Sequence, residues 1–190
     1  MDLRSLRVDK RGYVVSAEAT FDPAVSPLNE DGQGIPYAVF GFGAHLAEIE
    51  VDTELGTIKV LRLTAAHDVG RAINPTLVEG QIEGGAAQGL GMALMEEFFP
   101  GKGENLHDYL IPTIGDMPPV ESILIEDPAA VGPYGAKGVG EQALIPTAPA
   151  ILNALYDAAG VRIRKLPATP DKVRAAILQK ESGRSGNAHG

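Results

Sequence analysis

The chain contains no cysteine. Disulfides, thiolate zinc sites, cysteinyl iron–sulfur clusters and a catalytic thiol are therefore excluded from its own 190 residues. It also lacks any apolar run approaching the length of a membrane span, and its first ten residues carry no apolar stretch of signal-peptide length. Neither secretion nor membrane spanning is expected, which leaves the cytoplasm as the expected compartment. Basic residues are scarce: 16 Lys and Arg stand against 25 Asp and Glu, giving a net charge of -9 and a pI near 4.9. A nucleic-acid surface needs clustered cations to displace condensed counterions, and no basic stripe is present.

What the chain has in excess is punctuation. Its 23 glycines and 14 prolines make up about a fifth of the residues, against roughly 12% in average usage. They are clustered. A strand is expected from Gly12 to Ala19, then a loop from Phe21 to Pro36. Phe42 to Val51, a turn at Asp52 to Gly56, and Thr57 to Ala65 read as a β-hairpin, and the doubled apolar pair Val60-Leu61 breaks period 2 in the manner of a bulge. Asn74-Pro75 stops the second strand and introduces a helix from Thr76 through Glu97. Ser122 to Glu126 and Val161 to Lys165 are further strand candidates. Pro146 to Ala159 reads as a helix stopped by Gly160, and Thr169-Pro170-Asp171 opens a last helix reaching about Gln179. The expected class is α+β: an antiparallel hairpin and additional strands packed with three helices. The expected divisions are an N-terminal strand and loop over 1–36, a domain over 37–180 and a disordered tail over 181–190.

Two glycine-rich constellations could carry chemistry. The first runs from Gly80 to Gly91 and holds Gly84, Gly85 and Gly89 inside an expected helix. Each glycine there costs about 0.8–1 kcal/mol relative to Ala, so a compensating close approach is required. Two readings stand: approach of a cofactor, or tight packing against a neighbouring helix. Gln81 and Gln88 are seven residues apart, two helical turns, so both lie on one face and can meet one large polar ligand. No Gly-Lys-Ser/Thr follows, so this is not a Walker P-loop.

The second constellation is Gly135-Ala136-Lys137-Gly138-Val139-Gly140-Glu141. Glycine at every second or third position lets backbone amides face a cavity and places Glu141 at the end of the loop. A carboxylate in apolar surroundings rises toward neutrality, where a general base works best; the alternative is an exposed or salt-bridged capping residue. His45, His67 and His107 show no metal-ligand interval and read as packed or surface residues; His189 sits in the tail. Asp68 and Arg71 are expected to pair or to order the turn at Gly70, and Tyr134 is expected to serve packing.

In register, Gly80 to Gly91 and Pro133 to Glu141 together resemble the C-terminal part of the molybdenum-binding subunit of the xanthine dehydrogenase/aldehyde oxidase family. The segments Tyr37 to Asp52, Asp68 to Pro75 and Ile145 to Pro149 resemble the same family in the same order. The resemblance implies a molybdenum hydroxylase in which a pterin dithiolene ligates the metal, so that no side chain of this chain does and the absence of cysteine is no obstacle. It implies that Gln81 hydrogen-bonds molybdopterin, that Gln88 is a further contact, and that the backbone at Gly84, Gly85, Lys137, Gly138, Val139 and Gly140 approaches it. Glu141 is then the base for water-derived hydroxylation of an aldehyde or N-heterocycle. The pterin can carry a cytosine dinucleotide. Fe-S clusters, and FAD, would sit on partner chains, and the remainder of the molybdenum-binding subunit would complete the site, because the family's subunit is several times longer. The competing expectation is a non-catalytic glycine-rich module holding a nucleotide or a partner's backbone.

Overall fold

The computed structural model describes residues 7, 8, 10, 12 and 15–186. The chain divides into a unit up to Ala38 and a unit from Val39 onwards. In the first, no helix or strand forms among the described residues. Of the strand expected from Gly12 to Ala19, Tyr13 and Val14 lie outside the described residues, and Ser16 to Ala19 make no ladder. The loop expected from Phe21 is present, closed by Ser26 N donating to Ile35 O at 2.8 Å and by the Asn29 side chain accepting from Gln33 N at 2.8 Å.

The second unit begins with the hairpin. β1 (Gly43–Asp52) and β2 (Thr57–Asp68) pair antiparallel, and Asp52 Oδ1 accepts from the amides of Glu54 and Leu55 to shape the turn between them. The register slips between Glu48 and Ile49, whose partners are Arg62 and Val60, so Leu61 is the extra residue. This is the bulge expected at Val60-Leu61. It lets Val60 and Leu63 both turn into the core while Leu61 faces out.

From β2 the chain enters α1 (Pro75–Leu94), where Asn74 caps the first turn by accepting from Leu77 N at 3.2 Å. Helix α1 carries the chain back so that β3 (Val120–Ile125) lies parallel to β2, completing a mixed sheet of order β1-β2-β3. A parallel neighbour needs such a crossover. Helix α2 (Thr147–Ala159) packs on β1 and α1, and ends at Gly160, which takes the left-handed conformation at φ 67°. Helix α3 (Pro170–Gly186) runs beyond the Gln179 expected, into the segment expected to be a disordered tail.

The strand expected at Val161 to Lys165 does not form. Its alternation is real, since Val161 is buried and Arg162 and Arg164 are exposed, but the pattern answers to packing beneath α2 and α3 and not to a ladder. Leu155, Val161, Ala168, Val173 and Ile177 form that core, beside a second one of Val60, Leu63, Ala86, Leu90 and Ile151. Leu155 is fully buried. Leu155→Ala is expected to lower the unfolding free energy by about 2–5 kcal/mol, through lost transfer energy plus the cavity left behind. A urea titration with an unchanged slope checks this, and a loss below about 1 kcal/mol would contradict it.

Candidate functional site

The glycines of α1 fall on two faces. Gly85 and Gly89 are buried, and a Cβ on either would meet the segment entering α2: 2.7 Å from Ala143 Cβ at Gly85, and 2.8 Å from Thr147 Oγ1 at Gly89. Here the close approach is to the chain's own backbone. Gly80 and Gly84 are exposed, and nothing lies within 4 Å of a Cβ on either. These two leave an open strip along the helix. Gln81 and Gln88 are exposed, two turns apart on one face, and Gln81 points toward the second glycine-rich segment: its Oε1 lies 3.9 Å from where a Cβ on Gly140 would stand.

That second segment is anchored to the end of β2. Residues 133–135 make a single 3-10 turn in which Tyr134 takes φ 54° and Gly135 φ 84°. The Gly135 carbonyl accepts from Arg71 N and Ala129 N, both at 2.9 Å, and Lys137 N donates to Val69 O at 3.0 Å. Gly70, at φ 64°, lies directly against this loop, and any side chain there would collide with the Gly135 carbonyl. Asp68 Oδ1 accepts from Gly70 N at 3.0 Å, so Asp68 does order the Gly70 turn. Its ionic partner is Lys137, at 2.6 Å, and not Arg71.

Beyond Lys137 the loop is open. Among the described residues, the amides of Gly138, Val139 and Gly140 donate to no protein atom, and nothing lies within 4 Å of a Cβ on Gly138. A cavity of about 250 Å³ is lined by Val69, Arg71, Asn74, Gln81, Lys137 and Val139. Gln81, Lys137 and Val139 thus line one cavity, with Gly140 beside Gln81. Gln88 lies on the same helix face, two turns further along. Glu141 follows directly, with its side chain exposed. A carboxamide, free amides and open glycine surface are what a large, hydrogen-bonding, partly anionic ligand such as a pterin phosphate requires, so these residues fit the expected cofactor.

The electrostatics of the site rest on the Asp68–Lys137 pair, in which each side chain is only 8% exposed. Burial pushes the Asp68 carboxyl up, but hydrogen bonds from Lys137 and from the Gly70 amide outweigh it and hold the group below the usual carboxylate range. The same hydrogen bond holds the Lys137 ammonium above its ordinary value. This pair was not legible as a pair in the sequence, since its members are separated by 69 residues.

A second polar cluster lies beneath the hairpin. His45 Nε2 and His67 Nε2 are 2.7 Å apart, Thr147 Oγ1 bonds His45 Nδ1 at 3.0 Å, and His67 Nδ1 is buried without a partner among the described residues. Both are packed histidines, as expected. Burial, then the neighbouring His67 ring, lowers His45 from 6.5 to about 4, and burial also lowers His67. The unfolded chain therefore binds these protons more readily than the folded one. Stability contributed by the neutral rings is complete above pH 6.5 and is lost as the pH falls below it, toward 4 for His45. Asp68 adds to the loss only below its ordinary 3.8. Thermal melting between pH 7 and 4 is expected to show a steep decline that His67→Phe flattens. A profile unaffected by His67→Phe would contradict this.

Comparison with known proteins bears on the two functions expected of the chain. Residues 6–118 match the family model of the molybdopterin cofactor-binding domain. The chain belongs to this family. It resembles a stretch of molybdenum-binding subunits of the xanthine dehydrogenase/aldehyde oxidase type, and the alternative of a nucleotide- or partner-binding module is not favoured. The chain is 35% identical over 184 residues to the xanthine dehydrogenase molybdenum-binding subunit of Escherichia coli, covering 91% of this chain and 23% of that protein. Coverage of that extent takes in the loop at 133–141 whatever the ends of the match. It is 40% identical over 151 residues to an aldehyde oxidoreductase of Megalodesulfovibrio gigas, covering 77% of this chain and 16% of that protein. In three dimensions it superposes on the aldehyde oxidoreductase of Desulfovibrio gigas with a TM-score of 0.79 at 38% identity, over 81% of this chain and 17% of that one. The molybdopterin-binding domain thus spans about a fifth of the length of the relatives it matches. Its mixed α+β architecture is theirs.

Proposed function

We propose that the chain is the part of a molybdenum hydroxylase that holds one side of molybdopterin and supplies the base for hydroxylation. The carrying observation is the convergence of Gln81 with the unpartnered amides of Gly138, Val139 and Gly140, with Glu141 next in the chain. In this reading the carboxamide of Gln81 and the three amides bind and orient the pterin, while Gly84 leaves room for it on α1. Gly85 serves the docking of α2, and Gln88 extends the polar strip along the cofactor.

When bound, the molybdenum centre supplies the oxygen-transfer and two-electron chemistry. The Glu141 carboxylate takes up a proton as the new carbon–oxygen bond forms and gives it back to water between turnovers. Its exposure on this chain leaves it open to be covered by the rest of such a subunit. The substrate class is an aldehyde or an N-heterocycle, in line with the aldehyde oxidoreductase and the nicotine 6-hydroxylase large subunit among the relatives. We assign electron removal to partner chains carrying Fe-S clusters and FAD, because a chain without cysteine holds no such cluster itself. The functional unit is taken to begin near Tyr37, and the cofactor to include the cytosine dinucleotide form. Gln81→Leu in the complete, assembled enzyme is expected to cut bound molybdenum and pterin several-fold, about 1 kcal/mol for a lost hydrogen bond and more for the polar atoms left facing it. Full cofactor content in that variant would overturn the assignment.

A further inference from the structure

Glu141 is the one group of the proposed site whose position must be exact to a fraction of an ångström, yet it sits at the end of an exposed glycine loop. Glycines widen the range of conformations open to a chain, so something outside the loop has to hold it. The restraints converge on one residue. Asp68 Oδ2 holds Lys137 Nζ at 2.6 Å on the near side of Glu141, and the Asp68 carbonyl accepts from Gln142 Nε2 at 3.1 Å on the far side. Asp68 Oδ1 meanwhile accepts from Gly70 N, fixing the turn whose neighbours Val69 and Arg71 bond the backbone of Lys137 and Gly135. Asp68 itself is rigid: it closes β2, opposite Ile125 of β3, and its amide donates to Phe42 O at 2.8 Å.

We infer that Asp68 is the positioning residue for Glu141, clamping the loop on both sides of the base to the end of strand β2. The side chain of Lys137 is then not a ligand for the cofactor. It turns inward over Gly70 to reach Asp68. Asp127 Oδ2, 3.7 Å from Lys137 Nζ and 81% exposed, is a weaker second anion for the same cation. A buried ion pair adds little net stability over an apolar packing of the same shape, but it fixes one geometry, and that is its use here.

The inference rests on the function proposed above, and two measurements separate the two. In the 190-residue chain, backbone ¹⁵N order parameters for Gly138 to Glu141 are expected near about 0.85 and to fall below about 0.6 in Asp68→Asn, while those of Leu63 and Ala65 in β2 hold. Asp68→Asn/Lys137→Met removes the pair without leaving a buried cation unpaired, and is expected to loosen the loop to the same degree. In the complete enzyme, Asp68→Asn is expected to lower kcat per bound molybdenum about tenfold with KM unchanged, as for a base moved off its line. A loop as ordered in both variants as in the parent, a loop already loose in the parent, loosening shared equally by β2, or an unchanged kcat would each overturn the inference. A complete enzyme without molybdenum would overturn the functional reading alone and leave the order parameters to judge the clamp.

Discussion

Glu141→Gln in the complete, cofactor-loaded enzyme is expected to reduce kcat by about 10²–10⁴-fold while leaving bound molybdenum at its normal level. The amide keeps the size and much of the hydrogen bonding of the carboxylate but takes up no proton at working pH, so only the transfer step is removed. Cofactor content is predicted to survive because the groups assigned to hold the pterin are Gln81 and the amides at 138–140, and Glu141 is not among them. Steady-state kinetics together with metal analysis check both halves. A loss of rate of only a few-fold would remove Glu141 from the role of base. A parallel loss of molybdenum would make it a binding group instead.

The second large effect concerns the glycines of α1, where neighbours in sequence are predicted to behave in opposite ways. Gly85→Val places a branched side chain where even a Cβ would stand 2.7 Å from Ala143 Cβ and 2.9 Å from the Ala143 carbonyl carbon. Neither is the flexible end of a long side chain, so the segment leading into α2 must move. A destabilisation of about 3 kcal/mol or more is expected, at the upper end of what overpacked cores show, because backbone and side chain shift together. Gly84→Ala meets nothing within 4 Å and replaces a poor helix former, so the isolated chain should gain about 1 kcal/mol. The same change should weaken cofactor retention in the complete enzyme, where the open surface at Gly84 is assigned to the pterin. Denaturant unfolding of both variants, with pterin analysis for Gly84→Ala, tests the division. Equal effects at the two positions would mean that the two faces of α1 are not distinguished as described.

That division shows where reading the sequence reaches its limit. The need for a close approach along α1 was visible from the cost of its glycines alone, and packing against the segment entering α2 answers it at Gly85 and Gly89, while Gly80 and Gly84 meet no other part of the chain. Which glycine answers to which cause depends on the face that meets residues 143–147, and this is a tertiary fact. The hairpin and its bulge were legible because Val60-Leu61 breaks a period of two, a local signal that the strand register at Glu48 and Ile49 simply follows. Residues 161–165 carry the same kind of alternation yet form no strand, since a half-buried extended segment beneath two helices has the same one-sided pattern as a strand without its ladder. The positions of Gln81 and Glu141 could be singled out from motifs. Asp68 could be singled out for the Gly70 turn but not as the partner of Lys137, because an aspartate before a glycine turn carries no mark of a lysine 69 residues away.

The account stands on the nearness of Glu141 to the metal. Anomalous diffraction at the molybdenum edge from crystals of the complete enzyme locates that atom directly relative to the loop at 133–141. The expected result is a Glu141 carboxylate oxygen within hydrogen-bonding reach, about 2.6–3.2 Å, of an atom in the metal's coordination shell, with Gln81 on the pterin. Molybdenum sited far from this loop, with Glu141 directed into bulk water, would contradict the account.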